Sequence, residues 1–191
     1  MVLSFANKVT IGRILAVPFF IVALVYYSPQ RDYLRYVSLG IFLLAVITDV
    51  IDGYIARTRH QKTTAGAILD PLADKILLIS AFICLYKVNG LLGEIYFPLW
   101  FVLAMISRDV ILLMGSMIIY VVHGKLSVSA TRLGKTNTFF QILSIIGVLL
   151  QWPFSEPLWY FVTILTVTSG TDYIRNGIKI LNATNSTSTS R

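Results

Sequence analysis

Asp49 and Asp52 stand three residues apart, and Asp70 and Asp74 stand four apart. On an α-helix each pair therefore shares one face. The stretch between the pairs is short, so two helices carrying them can turn the four carboxylates toward each other. Left bare, carboxylates that close repel one another strongly. One or two divalent cations relieve that repulsion, and an all-oxygen ligand set points to Mg²⁺ or Mn²⁺ rather than zinc. Gly53 and Ala56 follow Asp52, and Gly66 precedes Asp70 by one turn, which keeps bulky side chains out of the centre. Arg57 adds planar donors suited to phosphate oxygens. A packing motif would account for the small residues alone. Metal-bound phosphate chemistry accounts for the acids and the arginine as well.

The elements that must position these residues follow from composition. Of 191 residues, 56% are hydrophobic and only 13% charged, and mean hydropathy is +0.75. A water-soluble globule is excluded, since such domains are about 25% charged. Six apolar windows long enough to cross a bilayer are centred on residues 14–27, 37–56, 67–86, 97–122, 133–152 and 158–181. Pro29, Gly90, Gly93, Gly124, Pro153 and Pro157 punctuate the connections. The sequence thus predicts an all-α, polytopic bundle of six transmembrane helices with a cytoplasm-facing active-site cavity. It forms one membrane domain over residues 1–181, with a disordered polar tail over 182–191. The single cysteine, Cys84, excludes an intrachain disulfide.

Lys and Arg are retained on the cytoplasmic side of short loops. The amino terminus, the second-to-third and fourth-to-fifth connections and the tail carry eleven of them; the opposite side carries only Arg31, Arg35 and Lys87. Both termini and the acid cluster are therefore expected in the cytoplasm. The net charge of +7 reads as membrane topology, without a nucleic-acid partner. In a cytoplasmic tail, the acceptor-like Asn182-Ala-Thr184 and Asn185-Ser-Thr187 are chance matches. Tyr26, Tyr27, Tyr96, Trp100, Trp152, Trp159 and Tyr160 read as an interfacial aromatic belt. His60 and His123 are isolated loop residues.

Further charges fall in or near the spans: Lys75, Arg108, Asp109 and Asp172. A charge at the bilayer centre costs about 3 kcal/mol on insertion scales, so each needs a partner or a wet cavity. For Asp109 and Asp172 the sequence leaves function and structural ion pairing equally open. An ion or proton transporter is the competing class. Its site would be expected near the midplane between internal repeats, whereas these acids cluster toward one surface and no repeat is visible.

The run Asp49-x2-Asp52-Gly53-x2-Ala56-Arg57-x8-Gly66-x3-Asp70-x3-Asp74 resembles the signature of the CDP-alcohol phosphotransferases, D-x2-D-G-x2-A-R-x8-G-x3-D-x3-D, at all eight fixed positions in 26 residues. The resemblance implies a membrane enzyme that transfers the alcohol phosphate of a CDP-linked donor to a hydroxyl and releases CMP. It implies a two-metal centre on Asp49, Asp52, Asp70 and Asp74, with Asp74 also the base for the acceptor. Gly53, Ala56, Arg57 and Gly66, with Asn7 and Thr10, would accommodate the CDP donor.

Outside the signature, Asn7-x2-Thr10-x2-Arg13 with Pro18, Asp70-Pro71-Leu72-Ala73-Asp74-Lys75, Ile106-Ser107-Arg108-Asp109 and Leu133-Gly134-Lys135-Thr136 look like the phosphatidylglycerophosphate synthases and related cardiolipin synthases. That branch implies CDP-diacylglycerol as donor and a bacterial inner-membrane location. The acceptor is glycerol 3-phosphate or phosphatidylglycerol, with glycerol 3-phosphate placed first. Arg108, Arg132 and Lys135 are the cations available for the acceptor's phosphate. Relatives using glycerol phosphate often carry Arg-Glu where this chain has Arg108-Asp109, and another arginine near Gly115 and Ser116. A homodimer is an assembly left open.

Overall fold

The computed structural model describes the backbone of residues 5–58, 64–123 and 132–188, and the side chains of residues 12–51, 72, 75–117 and 133–175. Among the described residues there are six α-helices and no strands: α1 (Phe5–Val25), α2 (Tyr33–Thr58), α3 (Thr64–Lys87), α4 (Leu99–His123), α5 (Arg132–Leu149) and α6 (Ser155–Ser188). The all-helical expectation and the order of the helices agree with this. Of the described helices, Tyr33–Ile51 and Leu99–Met117 are long and apolar enough to cross a membrane, while Gly12–Val25 and Leu133–Leu149 are apolar but shorter.

Two helix boundaries differ from those expected. Pro157 lies in the first turn of α6 rather than in a connection, where a missing backbone N–H costs nothing. At its other end α6 runs to Ser188, so residues 182–188 of the expected tail are helical. Asn, Ser and Thr are weak helix formers, but extending an existing helix avoids the cost of nucleation.

Helix α1 packs against both α2 and α3, α4 packs against α3 and α6, and α5 contacts α6, α2 and α3. At one end the connections are tied together. The Tyr27 hydroxyl lies 3.3 Å from Asp32 Oδ1 and 3.4 Å from the Leu91 carbonyl oxygen. The Gln151 amide accepts from Ile95 N–H at 3.1 Å and donates to Ile95 C=O at 2.9 Å. Gln151 itself has a positive φ of 56°. Gly93 must be glycine here, because a Cβ would collide with the Gln151 side chain and its φ is +140°. The α1–α2, α3–α4 and α5–α6 connections thus share one end, leaving the acid-bearing ends of α2 and α3 at the other.

The core between these ends is aromatic and aliphatic. Phe82, Phe97, Phe101 and Trp159 form a cluster with ring centroids 5.2–6.1 Å apart, and Phe20 meets Phe42 at 5.9 Å. Tyr27 and Trp159 are buried in this core, which corrects their assignment to the interfacial belt; Tyr26, Tyr96, Trp100, Trp152 and Tyr160 are exposed as expected. Both corrected residues sit at helix ends, where hydropathy does not distinguish an inward ring from an outward one. Phe19, Leu44, Ile164 and Val167 are exposed, an apolar exterior suited to lipid rather than water.

Candidate active site

The signature acids stand where the helical spacing places them. Asp49 and Asp52 lie in the last turns of α2, and Asp70 and Asp74 near the start of α3. The side chain of Asp49 is described; those of Asp52, Gly53, Ala56, Arg57, Gly66, Asp70 and Asp74 lie outside the described side chains, as do Asn7, Thr10 and Arg132. Asp49 is 38% exposed and forms an ion pair with Arg13 of α1, whose side chain is 3% exposed. From the sequence, Arg13 counts toward topology and belongs to the Asn7-x2-Thr10-x2-Arg13 run, with no pairing to Asp49 foreseen. The same three-residue spacing that puts Asn7 and Thr10 on one face of α1 carries Arg13 toward α2.

A cleft of about 450 Å³ opens between α1 and α2 beside this pair. Gly12, Ala16 and Ala45 leave the space, Phe19, Ile41 and Leu44 form apolar walls, and Arg13 and Thr48 supply the polar end. Small residues allow this opening where larger ones would close the helix pair.

A second polar layer joins α3, α4, α5 and α6. Lys75 Nζ and Arg108 Nη1 both donate to Asp109 Oδ1, each at 2.8 Å. Arg108 Nη2 donates to Ser169 Oγ at 2.8 Å, and Arg108 Nε has no partner among the described residues. Asp109 is 1% exposed. Its role as an ion-pair acid is therefore answered: it pairs with its helical neighbour and with Lys75 across to α3. Thr166 Oγ1 donates to Asn137 Oδ1 at 3.0 Å, and Gln141 Nε2 approaches Met105 Sδ at 3.4 Å. Asn137, Gln141, Thr166 and Ser169 do not stand out in the sequence. Their signal is spacing: 137 and 141 are four apart, and 166 and 169 three apart, so each pair marks one polar face within an apolar helix.

Of the other acceptor candidates, Lys135 is exposed in the first turn of α5. The region of Gly115 and Ser116 receives Tyr173 of α6, whose hydroxyl donates to the Leu112 carbonyl at 3.2 Å. The Tyr173 ring occupies the space a Cβ on Gly115 would need. Asp172 is half-buried on α6.

Carboxylates at both signature helices are hard oxygen donors of the kind that Mg²⁺ or Mn²⁺ prefers, and the Asp49 carboxylate, paired with Arg13, is partly exposed. The donor types suit a divalent metal; of the four acids, only the side chain of Asp49 is among those described.

Among the described residues the protein is a helical bundle with paired acids on two successive helices and an apolar cleft beside Arg13. The family model for CDP-alcohol phosphatidyltransferase matches residues 3–170, and the chain belongs to that family. A CDP-diacylglycerol–glycerol-3-phosphate 3-phosphatidyltransferase of Bacillus subtilis is 31% identical, with 94% of this chain and 97% of that protein covered. One of the same name from Haemophilus influenzae is 30% identical over 87% of this chain and 89% of its own length. A cardiolipin synthase (CMP-forming) / mitochondrial hydrolase fusion protein of Schizosaccharomyces pombe is 31% identical over 90% of this chain and 31% of its own length.

Proposed function

We propose that this chain is a phosphatidylglycerophosphate synthase: it transfers the phosphatidyl group of CDP-diacylglycerol to glycerol 3-phosphate and releases CMP. The observation that carries the reading is the complete signature on α2 and α3 in a chain nearly coextensive with relatives named CDP-diacylglycerol–glycerol-3-phosphate 3-phosphatidyltransferase. The acceptor hydroxyl oxygen attacks the phosphorus bearing diacylglycerol. The bond from that phosphorus to the bridging oxygen breaks, CMP leaves with the oxygen, and the acceptor proton passes to Asp74. Asp49, Asp52, Asp70 and Asp74 would hold Mg²⁺ or Mn²⁺, two ions per site. When bound, these ions neutralise the diphosphate and stabilise the leaving CMP.

Asn7, Thr10, Gly53, Ala56, Arg57 and Gly66 receive the cytidine diphosphate. The apolar cleft beside Arg13 suits an acyl chain of the donor, so the lipid need not leave the bilayer. Arg108, Arg132 and Lys135 receive the acceptor's phosphate; Arg108 is buried, and its Nε has no partner among the described residues. The six helices span the inner membrane of a bacterium, with both termini and the site cytoplasmic. The shared end of the α1–α2, α3–α4 and α5–α6 connections supports that topology, because it separates three basic residues from the basic majority.

Phosphatidylglycerol as acceptor, giving cardiolipin, is the second reading. It is favoured by the fission-yeast relative and by the Arg108-Asp109 pair. Purified protein given labelled CDP-diacylglycerol with each acceptor separates the two: CMP release with glycerol 3-phosphate supports the first, and release with phosphatidylglycerol alone supports the second.

A further inference from the structure

Asp109 is buried within α4, and one of its oxygens, Oδ1, accepts from Lys75 of α3 and from Arg108 beside it, each at 2.8 Å. A carboxylate that far from water requires its cations, and the cations require it. Lys75 directly follows Asp74, and α3 also carries Asp70. Rotation or sliding of α3 about its axis would pull Lys75 from Asp109 and move both signature acids with it. Arg108 is held from its other side by Ser169 of α6 at 2.8 Å. The four side chains therefore lock α3, α4 and α6 into one register, with the acid-bearing helix on one side and the acceptor-side arginine on the other.

We propose that Asp109 is a positioning residue for the transfer step: through Lys75 it fixes the rotation of α3, and so of Asp70 and Asp74, relative to Arg108. This inference rests on the proposed function above. It adds that a buried carboxylate links the acid helix to the acceptor-side cation without itself acting on the substrate.

The test uses full-length protein in detergent and measures CMP release, the KM of each substrate and thermal unfolding. Asp109→Asn keeps the shape but weakens both charged interactions; Lys75→Met removes the α3 arm, and Ser169→Ala the α6 arm. Displacement of reacting groups by about 1 Å can cost on the order of a hundredfold. Asp109→Asn and Lys75→Met are expected to lower kcat by about tenfold or more, with the donor KM changed less than about threefold. Ser169→Ala is expected to raise chiefly the acceptor KM. Asp109→Glu, which retains the charge, should recover part of kcat, and Asp109→Asn with Lys75→Met should cost less than the two effects combined, since they break one ion pair. If Asp109→Asn does not fold, Lys75→Met and Ser169→Ala carry the test. Variants that unfold at lower temperature yet keep wild-type kcat and KM while folded would overturn the proposal and leave Asp109 a packing residue. Failure of the wild-type chain to release CMP with either acceptor would overturn the functional reading instead, so the two failures are distinguishable.

Discussion

Arg13 of α1 and Asp49 of α2 are an ion pair in which the cation is buried and the carboxylate remains partly open. The first signature acid is thus held by a residue outside the signature, on the helix that packs against both α2 and α3. In the proposed site Arg13 would offset part of the repulsion among the acids. Arg13→Gln should therefore enlarge the rise in unfolding temperature produced by saturating Mg²⁺, because the ion then relieves a greater repulsion. An equal rise in variant and wild type would show that Arg13 does not share this task.

Asp49→Asn, Asp52→Asn and Asp70→Asn should each raise the Mg²⁺ or Mn²⁺ concentration needed for half-maximal CMP release and lower the maximum. The carboxylates supply both charge and ligand oxygens, and an amide supplies only a neutral oxygen. Titration of the metal into chelator-treated protein measures this. Full activity in excess chelator would remove the metal from the account.

Asp74→Asn should reduce turnover by about a hundredfold, within the range for loss of a general base, while changing donor affinity much less. The amide fills the same space and cannot take the acceptor's proton. Direct measurement of donor binding alongside turnover checks this, and a normal rate in a folded, metal-replete variant would assign the base elsewhere.

Arg132→Gln and Lys135→Gln should each raise the apparent KM for glycerol 3-phosphate. Removing a desolvated, charge-assisted hydrogen bond to the phosphate corresponds to about 1.5–3 kcal/mol. The exposed position of Lys135 places its effect at the lower end. Unchanged acceptor kinetics in detergent would return both residues to topology or to attraction of anionic lipid, worth about 1 kcal/mol each.

Hydropathy made the six helices and their order legible, and helical spacing placed the acids on α2 and α3. Pairing across helices was not legible. Lys75 and Asp109 are separated by 34 residues, and Arg13 and Asp49 by 36, and neither spacing has a local period that reveals an ion pair. Arg108 reads from the sequence as a cation for the acceptor's phosphate; its pairing with its own neighbour Asp109, which reaches across to Lys75, has no counterpart in that reading. Tyr27 and Trp159 were misplaced because amphipathic rings at helix ends satisfy both a belt and a core. The buried polar face of Asn137 and Gln141 was not legible beside Phe139 and Phe140, whose apolar character dominates that turn.

Phe101 lies at the centre of the aromatic cluster and is fully buried. Phe101→Ala should destabilise the bundle by about 3–5 kcal/mol, through the loss of burial and the cavity left behind. Its unfolding in detergent should move well below wild type, while the KM values of the folded enzyme stay close to it.

The most direct measurement is release of labelled CMP from CDP-diacylglycerol by the purified full-length chain with Mg²⁺ or Mn²⁺, comparing glycerol 3-phosphate, phosphatidylglycerol, inositol phosphate and serine as acceptors. The account predicts metal-dependent CMP release that requires glycerol 3-phosphate, with phosphatidylglycerophosphate as the lipid product. Release with phosphatidylglycerol alone, or no release with any acceptor, would contradict it.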